Sequence, residues 1–528
     1  MNTNVQKYLN FKIDWYLITA SSLVLIAAPN AQAQSNIVPD DTLGDKSSIV
    51  NPDADGFAID LITGGAQRGQ NLFHSFSEFN VSEGRSAYFS SPNASIANIL
   101  SRVTGNNISE IFGTLGTIGE SQPNLFLINP NGILFGDNAS LDLGGSFVAT
   151  TADSIQFGEQ GFFDATNPEA PPLLTVQPSA FLVNQLNNGT IENNSTAPAG
   201  TDPTQTLNFV GLRVPDGESL TFLGNEVAIN FGGIVALDGA INIGALNSGR
   251  VNLDPNNSLN FADNAVRGNV FIGEGAGLLS AGENGGQIAI AAENFDLSGN
   301  STLITGILGN LGSTEAQSNN IDLDSTNTIA IDNSFVFNRI SENGTGNGGD
   351  LLMNAANLSI TNGGRIGVIT LGVGNTGNVN INTSQSVEIN SEDTSFLTGI
   401  FAQVLETGIG NAGEINITTT NLDINNFNAT IGTNSFGQGN AGNLIINTQT
   451  ANLTNSALID ARTFGFGNSG NIQLNASDNI AIEISSFINS DVAFGVTGEG
   501  GDIIISADNM TITNGSQISN SVFGQGDA

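Results

Sequence analysis

The chain contains no cysteine. That excludes a disulfide framework, a thiolate zinc site, an iron–sulfur centre and a cysteine nucleophile. Cations are nearly as scarce: 12 Lys plus Arg stand against 49 Asp plus Glu, a net charge of −37. Nucleic acid is thereby excluded as a partner, because binding phosphate requires a basic surface. There is one His and one Trp. A serine nucleophile needs a neighbouring base, and the single candidate, His74, lies between Phe73 and Phe76 in an apolar strand, where it reads as a packed structural residue. Glycoside hydrolysis needs paired carboxylates, yet the one Asp-Asp pair is Asp40-Asp41, in a loop-like segment. Tyr88 is the one Tyr beyond residue 33, so aromatic platforms for sugars are poor. No enzyme is expected. At 39% the hydrophobic fraction is too high for a disordered acidic tail.

What is present begins with a leader. Lys7 and Lys12 precede an apolar run from Trp15 to Ala28, and Ala31-Gln32-Ala33 is a small-x-small cleavage site. Residues 1–33 are therefore predicted to be a signal peptide, cut between Ala33 and Gln34. The apolar run falls short of the roughly 20 residues of a transmembrane helix, so the chain is expected not to span a membrane after cleavage. Lys46 is the one lysine that remains.

The second half is periodic. A Gly, a polar residue and then alternating apolar positions recur at Gly349, Gly377, Gly413, Gly442, Gly470 and Gly501, and upstream at Gly286, with an Asn-for-Gly copy at Asn319-Asn320 and a weaker copy at Gly249. A period near 30 marks a stacked array. Each repeat holds three short strand-like pieces, such as 378–382, 387–390 and 398–402, with Ile, Val and Phe alternating with Asn, Thr and Ser. Gly and Asn between them supply the positive φ of sharp corners. The predicted fold is all-β, a right-handed parallel β-helix with three short strands per coil and an N-terminal cap over 34–57. A β-propeller blade would need about 40–45 residues. At about 28 residues per coil and about 4.8 Å per rung, on the order of 17 coils would make a rod about 80 Å long. The run Ile518–Gly526 stops where a further repeat would begin, so more chain or another surface is expected to cover the last coil.

Residues 55–160 differ from these repeats. They contain Arg102-Val103-Thr104-Gly105, then Asn129-Pro130-Asn131-Gly132 after an apolar strand, then Ala149-Thr150-Thr151-Ala152. Pro130 and Asn131-Gly132 define a tight turn, whose Asn129 and Asn131 amides are left to cap backbone groups or to meet a partner. In order and spacing these segments resemble the N-terminal secretion domain of the filamentous haemagglutinin family, the exported members of two-partner secretion systems. The likeness covers roughly 40–160, about a quarter of the chain.

The resemblance implies a β-helical module recognised by a dedicated outer-membrane barrel with periplasmic domains. It assigns Arg102, Val103, Asn129, Pro130, Asn131 and Gly132 to secretion or partner recognition. The domain reading is then 1–33 signal peptide, 34–200 two-partner secretion domain and 201–528 β-helix repeats. The protein is expected to be an adhesin-like exoprotein, secreted or held at the cell surface, with a host-surface, cell-surface or glycan receptor. The alternatives are a polysaccharide-active enzyme on the same fold, or a stalk for a toxin or haem-binding tip beyond this chain. No cofactor is expected, with room for weak Ca²⁺ binding at Gly348-Gly349-Asp350 and Gly500-Gly501-Asp502.

Overall fold

A computed structural model describes residues 34–184, 189–254, 258–392 and 396–527. The predicted cleavage residues Ala31 and Ala33 lie outside them. The described chain is all-β, with one short 3-10 turn at Ala54–Gly56. It winds as a parallel β-helix whose coils have three faces.

The first face carries the core's longest column. Leu72 pairs with Ile99, and the parallel register continues through Leu125, Phe147, Leu220, Ile241, Ile288, Ile321, Leu351, Val379, Ile415, Leu444, Ile472 and Ile503. The third face carries a matching column from Leu212 through Ile234, Leu278, Leu303, Val336, Ile366, Ile400, Ile431, Ile459 and Ile488 to Ile518. Strands such as Ile321–Asp332 bend between the first and second faces at a register shift. β-branched residues dominate because only alternate side chains enter the lumen, and each stacks on its equivalent one rung away. Each fully buried Ile, Leu or Val contributes about 1.5–3 kcal/mol.

The corners explain the repeat's Gly and Asn. Before each first-face strand the chain runs close against the coil below. A Cβ on Gly442 would lie 1.8 Å from the Gly413 carbonyl oxygen, so no larger residue fits. Beside this glycine stack run two Asn ladders. Asn347 Oδ1 accepts the Asn375 N–H, Asn375 that of Asn411, Asn411 that of Asn440, and Asn440 that of Asn468. Asp350 Oδ1 likewise accepts the Asn378 N–H at 2.7 Å, and Asn378 that of Glu414. The side chains thus satisfy corner amides that the strand ladders cannot reach.

The column contains fewer rungs than the seventeen expected, because part of the chain leaves it. Phe162–Asp164, Ser154–Gln156, Ala180–Val183, the end of Ala240–Leu253 and Leu259–Phe261 form an antiparallel sheet outside the first face. It builds a second core, in which Phe73, Leu100, Phe126 and Val148 point out of the helix and pack on Phe157, Phe163 and Phe181. Phe73 lies 4.8 Å from Phe163 and 5.6 Å from Phe157 between ring centroids. The cap is formed by Asn36–Pro39, antiparallel to Asn71–Asn80, and by Ser48–Asn51, antiparallel to Ile59–Gly64. It covers the strand edge that the first coil would otherwise present.

Candidate functional site

The strand Asn98–Val103 alternates Ile99, Ser101 and Val103 toward the lumen with Leu100 and Arg102 away from it. An outward Arg on a sheet normally reaches water. Here the outer sheet and the cap close over it, leaving Arg102 1% exposed. Its Nε donates to Ser75 Oγ at 3.0 Å, Nη1 to the Asp164 carbonyl at 2.6 Å, and Nη2 to Thr42 Oγ1 and the Glu169 carbonyl, both at 2.9 Å. The guanidinium also lies 4.4 Å from the Phe163 ring centroid. Desolvation lowers its pKa to about 10, opposed by the charges of Asp40 and Asp164. It stays protonated at neutral pH.

The counter-charge is Asp40, linked to Arg102 through Ser75 and Thr42. Its carboxylate accepts Thr42 Oγ1 at 2.5 Å, the Thr42 N–H at 2.9 Å, Ser75 Oγ at 2.8 Å and Thr104 Oγ1 at 2.7 Å. Burial works to raise its pKa, but these hydrogen bonds outweigh burial and hold the carboxyl below its usual range. One polar cluster thus ties the cap (40–42), two first-face strands (75, 102–104), the outer sheet (164) and the segment that follows it (169). Val103, one residue from Arg102, is 1% exposed in the lumen core.

The Asn129–Gly132 turn does not project from the surface. It is the corner between Asn124–Ile128 and Gly132–Phe135, with Asn129, Pro130 and Gly132 buried. Asn129 Nδ2 donates to the Asn107 carbonyl and Ser109 Oγ, each at 3.0 Å. Its Oδ1 accepts both the N–H and Nδ2 of Asn131 at 3.0 Å. Asn131 Nδ2 reaches back to the Gly105 carbonyl at 2.8 Å. Both amides therefore cap backbone within the chain. The third segment joins the same system, since the Asn129 N–H donates to the Thr150 carbonyl at 3.0 Å. Three motifs separated in sequence are neighbours in successive coils.

The remaining candidates sit apart. His74 is fully buried in the lumen, with Nδ1 3.1 Å from Ser48 Oγ and its ring against Phe89 at 5.2 Å. Desolvation drops its pKa to about 3. Tyr88 donates to Asp142 at 2.6 Å. Asp350 and Asp502 belong to the corner ladders, and among the described residues no three His, Cys, Asp or Glu converge as metal ligands. Sequence reasoning missed Asp40, Thr42 and Ser75 as partners of Arg102. Nothing in their local pattern reveals a partner that only the fold brings near.

The TPS secretion domain family matches residues 35–290, a span that contains the cap, the Arg102 cluster, the three motifs and the outer sheet. Residues 35–290 belong to the TPS secretion domain family. The match runs past residue 200, and the first-face ladder crosses that point without a break, Phe147 pairing with Leu220. Two solved secretion domains are similar. The HMW1 secretion domain from Haemophilus influenzae has 15% identity and a TM-score of 0.39, covering 92% of this chain and 99% of its own. The filamentous hemagglutinin secretion domain has 13% identity and a TM-score of 0.31, covering 74% and 97%. No curated protein matches the chain. A TPS secretion domain is the module of two-partner secretion exoproteins, and it engages an outer-membrane transporter.

Proposed function

We propose that this chain is an adhesin-like exoprotein. Its leader is removed after Ala33, its TPS domain addresses it to an outer-membrane barrel with periplasmic domains, and the coils beyond form a stalk with an adhesive surface. The family match over 35–290 supports this reading most strongly. The chain's own chemistry supports it too: no cysteine is present to form a disulfide in the oxidising periplasm before transit. In this reading Arg102 and the Asn129–Gly132 turn serve secretion by building the first coils, with the partner meeting the assembled module and not these side chains.

The test is expression of the full chain, leader included, in a Gram-negative host with and without a two-partner barrel transporter from the same source. The expected result is release into the medium only when the transporter is present. Equal release in its absence would remove the secretion reading. Binding of the released protein to cell surfaces and glycan arrays then tests the adhesive role, and absence of binding to every surface tried would count against it.

A further inference from the structure

The outer sheet carries a segment that crosses the first face as a strap. Residues 164–178 run Asp-Ala-Thr-Asn-Pro-Glu-Ala-Pro-Pro-Leu-Leu-Thr-Val-Gln-Pro, with prolines at 168, 171, 172 and 178. Between Phe162–Asp164 and Ala180–Val183 it forms no strand. It is held instead by side chains of the strands beneath. Arg68 Nε and Nη2 donate to the Pro172 and Pro171 carbonyls, each at 3.2 Å. Asn71 Nδ2 donates to the carbonyls of Leu174 at 2.9 Å and Val176 at 2.8 Å. Arg102 takes those of Asp164 and Glu169, and Asn98 Nδ2 takes Gln177 Oε1 at 2.6 Å.

The bonding is one-way. The groove donates and the strap accepts. The strap's bonded amides do not reach these donors: Thr166 and Asn167 donate to Asp164 Oδ1 and Leu174 to the Pro172 carbonyl within the strap, Ala165 donates to the Asp153 carbonyl, and Thr175 and Val176 donate to Gln160 Oε1. A groove of this kind selects an extended backbone rich in carbonyls and poor in N–H, which is what proline provides. One apolar anchor, Leu174, enters the second core completely, while its neighbour Leu173 is 70% exposed. Asn71 and Asn98 are themselves at least 99% buried, and Asn98 Nδ2 also bonds Asn71 Oδ1 at 2.9 Å, so the donors are fixed in place by one another. These features are those of a peptide-recognition site.

We infer that the groove lined by Arg68, Asn71, Asn98 and Arg102 is a binding site for an extended, proline-containing peptide of another protein, filled in cis by residues 164–178 acting as a displaceable pseudo-ligand. Its four donors lie between residues 66 and 103, ahead of the strap in chain order, while the core that takes Leu174 also includes Phe157, Phe163 and Phe181.

The test uses the full chain with residues 166–177 replaced by a Gly/Ser linker of equal length, and a fluorescent peptide of sequence 164–178 as probe. Anisotropy is expected to show the peptide binding this variant about tenfold or more tighter than the wild-type chain, where the site is filled. Adding Asn71→Ala, or changing the peptide's prolines to serine, is expected to weaken binding by about tenfold. Equal affinity for variant and wild type, or no binding to a variant that keeps its β circular dichroism, overturns the inference. If the replaced chain does not fold, hydrogen exchange on the wild type decides. The inference expects the amides of 166–177 to exchange about a hundredfold faster than those of Asn98–Val103, as a strap that opens by itself. Equal protection of the two segments overturns it.

Discussion

The side-chain amide of Asn131 donates to the Gly105 carbonyl at 2.8 Å, so the Asn129–Gly132 turn is tied to the Arg102–Gly105 segment one coil earlier. Gly105 permits this because a Cβ there would lie 2.0 Å from the Ser77 carbonyl oxygen. The Asn131→Asp variant keeps the size but loses the donor. It is expected to cost about 1–3 kcal/mol, and Asn129→Ala, which strands the Ser109 hydroxyl and the turn amides, about the same or more. Urea midpoints for the two variants check this; midpoints unchanged from wild type would show that the turn stabilises nothing.

Arg102 is the larger wager. The Arg102→Met variant leaves Asp40 buried without its counter-charge and four acceptors, two hydroxyls and two carbonyls, without a donor. The expected loss is about 3–5 kcal/mol. Arg102→Lys keeps the charge but cannot span Ser75, Thr42 and two carbonyls at once, so it should recover only part of that. Full recovery by lysine would mean that charge alone, and not the guanidinium fork, holds the cluster.

Asp40 and His74 are two of the groups through which stability should depend on pH. Asp40 has a folded pKa below its ordinary value, so its contribution is complete above the unfolded pKa near 3.8 and is lost as pH falls through the folded value. His74 is a base with its pKa lowered to about 3 from 6.5. The unfolded chain therefore binds the extra proton between those limits, and stability falls as pH drops from 6.5 toward 3. The slope in that window approaches about 1.4 kcal/mol per pH unit. His74→Leu is expected to flatten the window between pH 6 and 4 in a urea-midpoint titration, while Asp40→Asn should leave that window sloped.

The corner glycines give a contrast within the repeats. Gly442→Ala forces a Cβ onto the Gly413 carbonyl and is expected to cost on the order of 3 kcal/mol or more. At Gly495 nothing lies within 4 Å of the added carbon, and only its φ of +83° resists, so Gly495→Ala should cost about 1 kcal/mol. Hydrogen exchange in the coils from 413 to 442 would register the first change and barely the second.

Much of this architecture was legible from alternation and spacing. The residues two places after the repeat glycines, Leu351, Val379, Ile415, Leu444, Ile472 and Ile503, all fall in the first-face column. The outer sheet was not legible. Ser154-Ile155-Gln156 alternates like any coil strand, and the strand that ties the sheet to the helix, pairing Phe181 with Val251, joins residues far apart in sequence. The Asn129–Gly132 turn was recognised but not its depth, because a Pro-Asn-Gly pattern specifies a corner without saying what lies over it. Arg102 was singled out on resemblance. Its partners Asp40, Thr42 and Ser75 are small polar residues whose meaning comes only from being brought together in space.

The central claim is one unbroken ladder of coils, and the absence of cysteine makes it directly measurable by paired nitroxide labels. On the outward side of the first face the register runs Ala289, Asp322, Leu352, Asn380, Asn416, Ile445, Gln473. Labels at Ala289→Cys and Gln473→Cys should report a single narrow distance near 29 Å by double electron–electron resonance, six rungs at about 4.8 Å. A broad distribution, or a distance beyond about 45 Å, would contradict the stacked column.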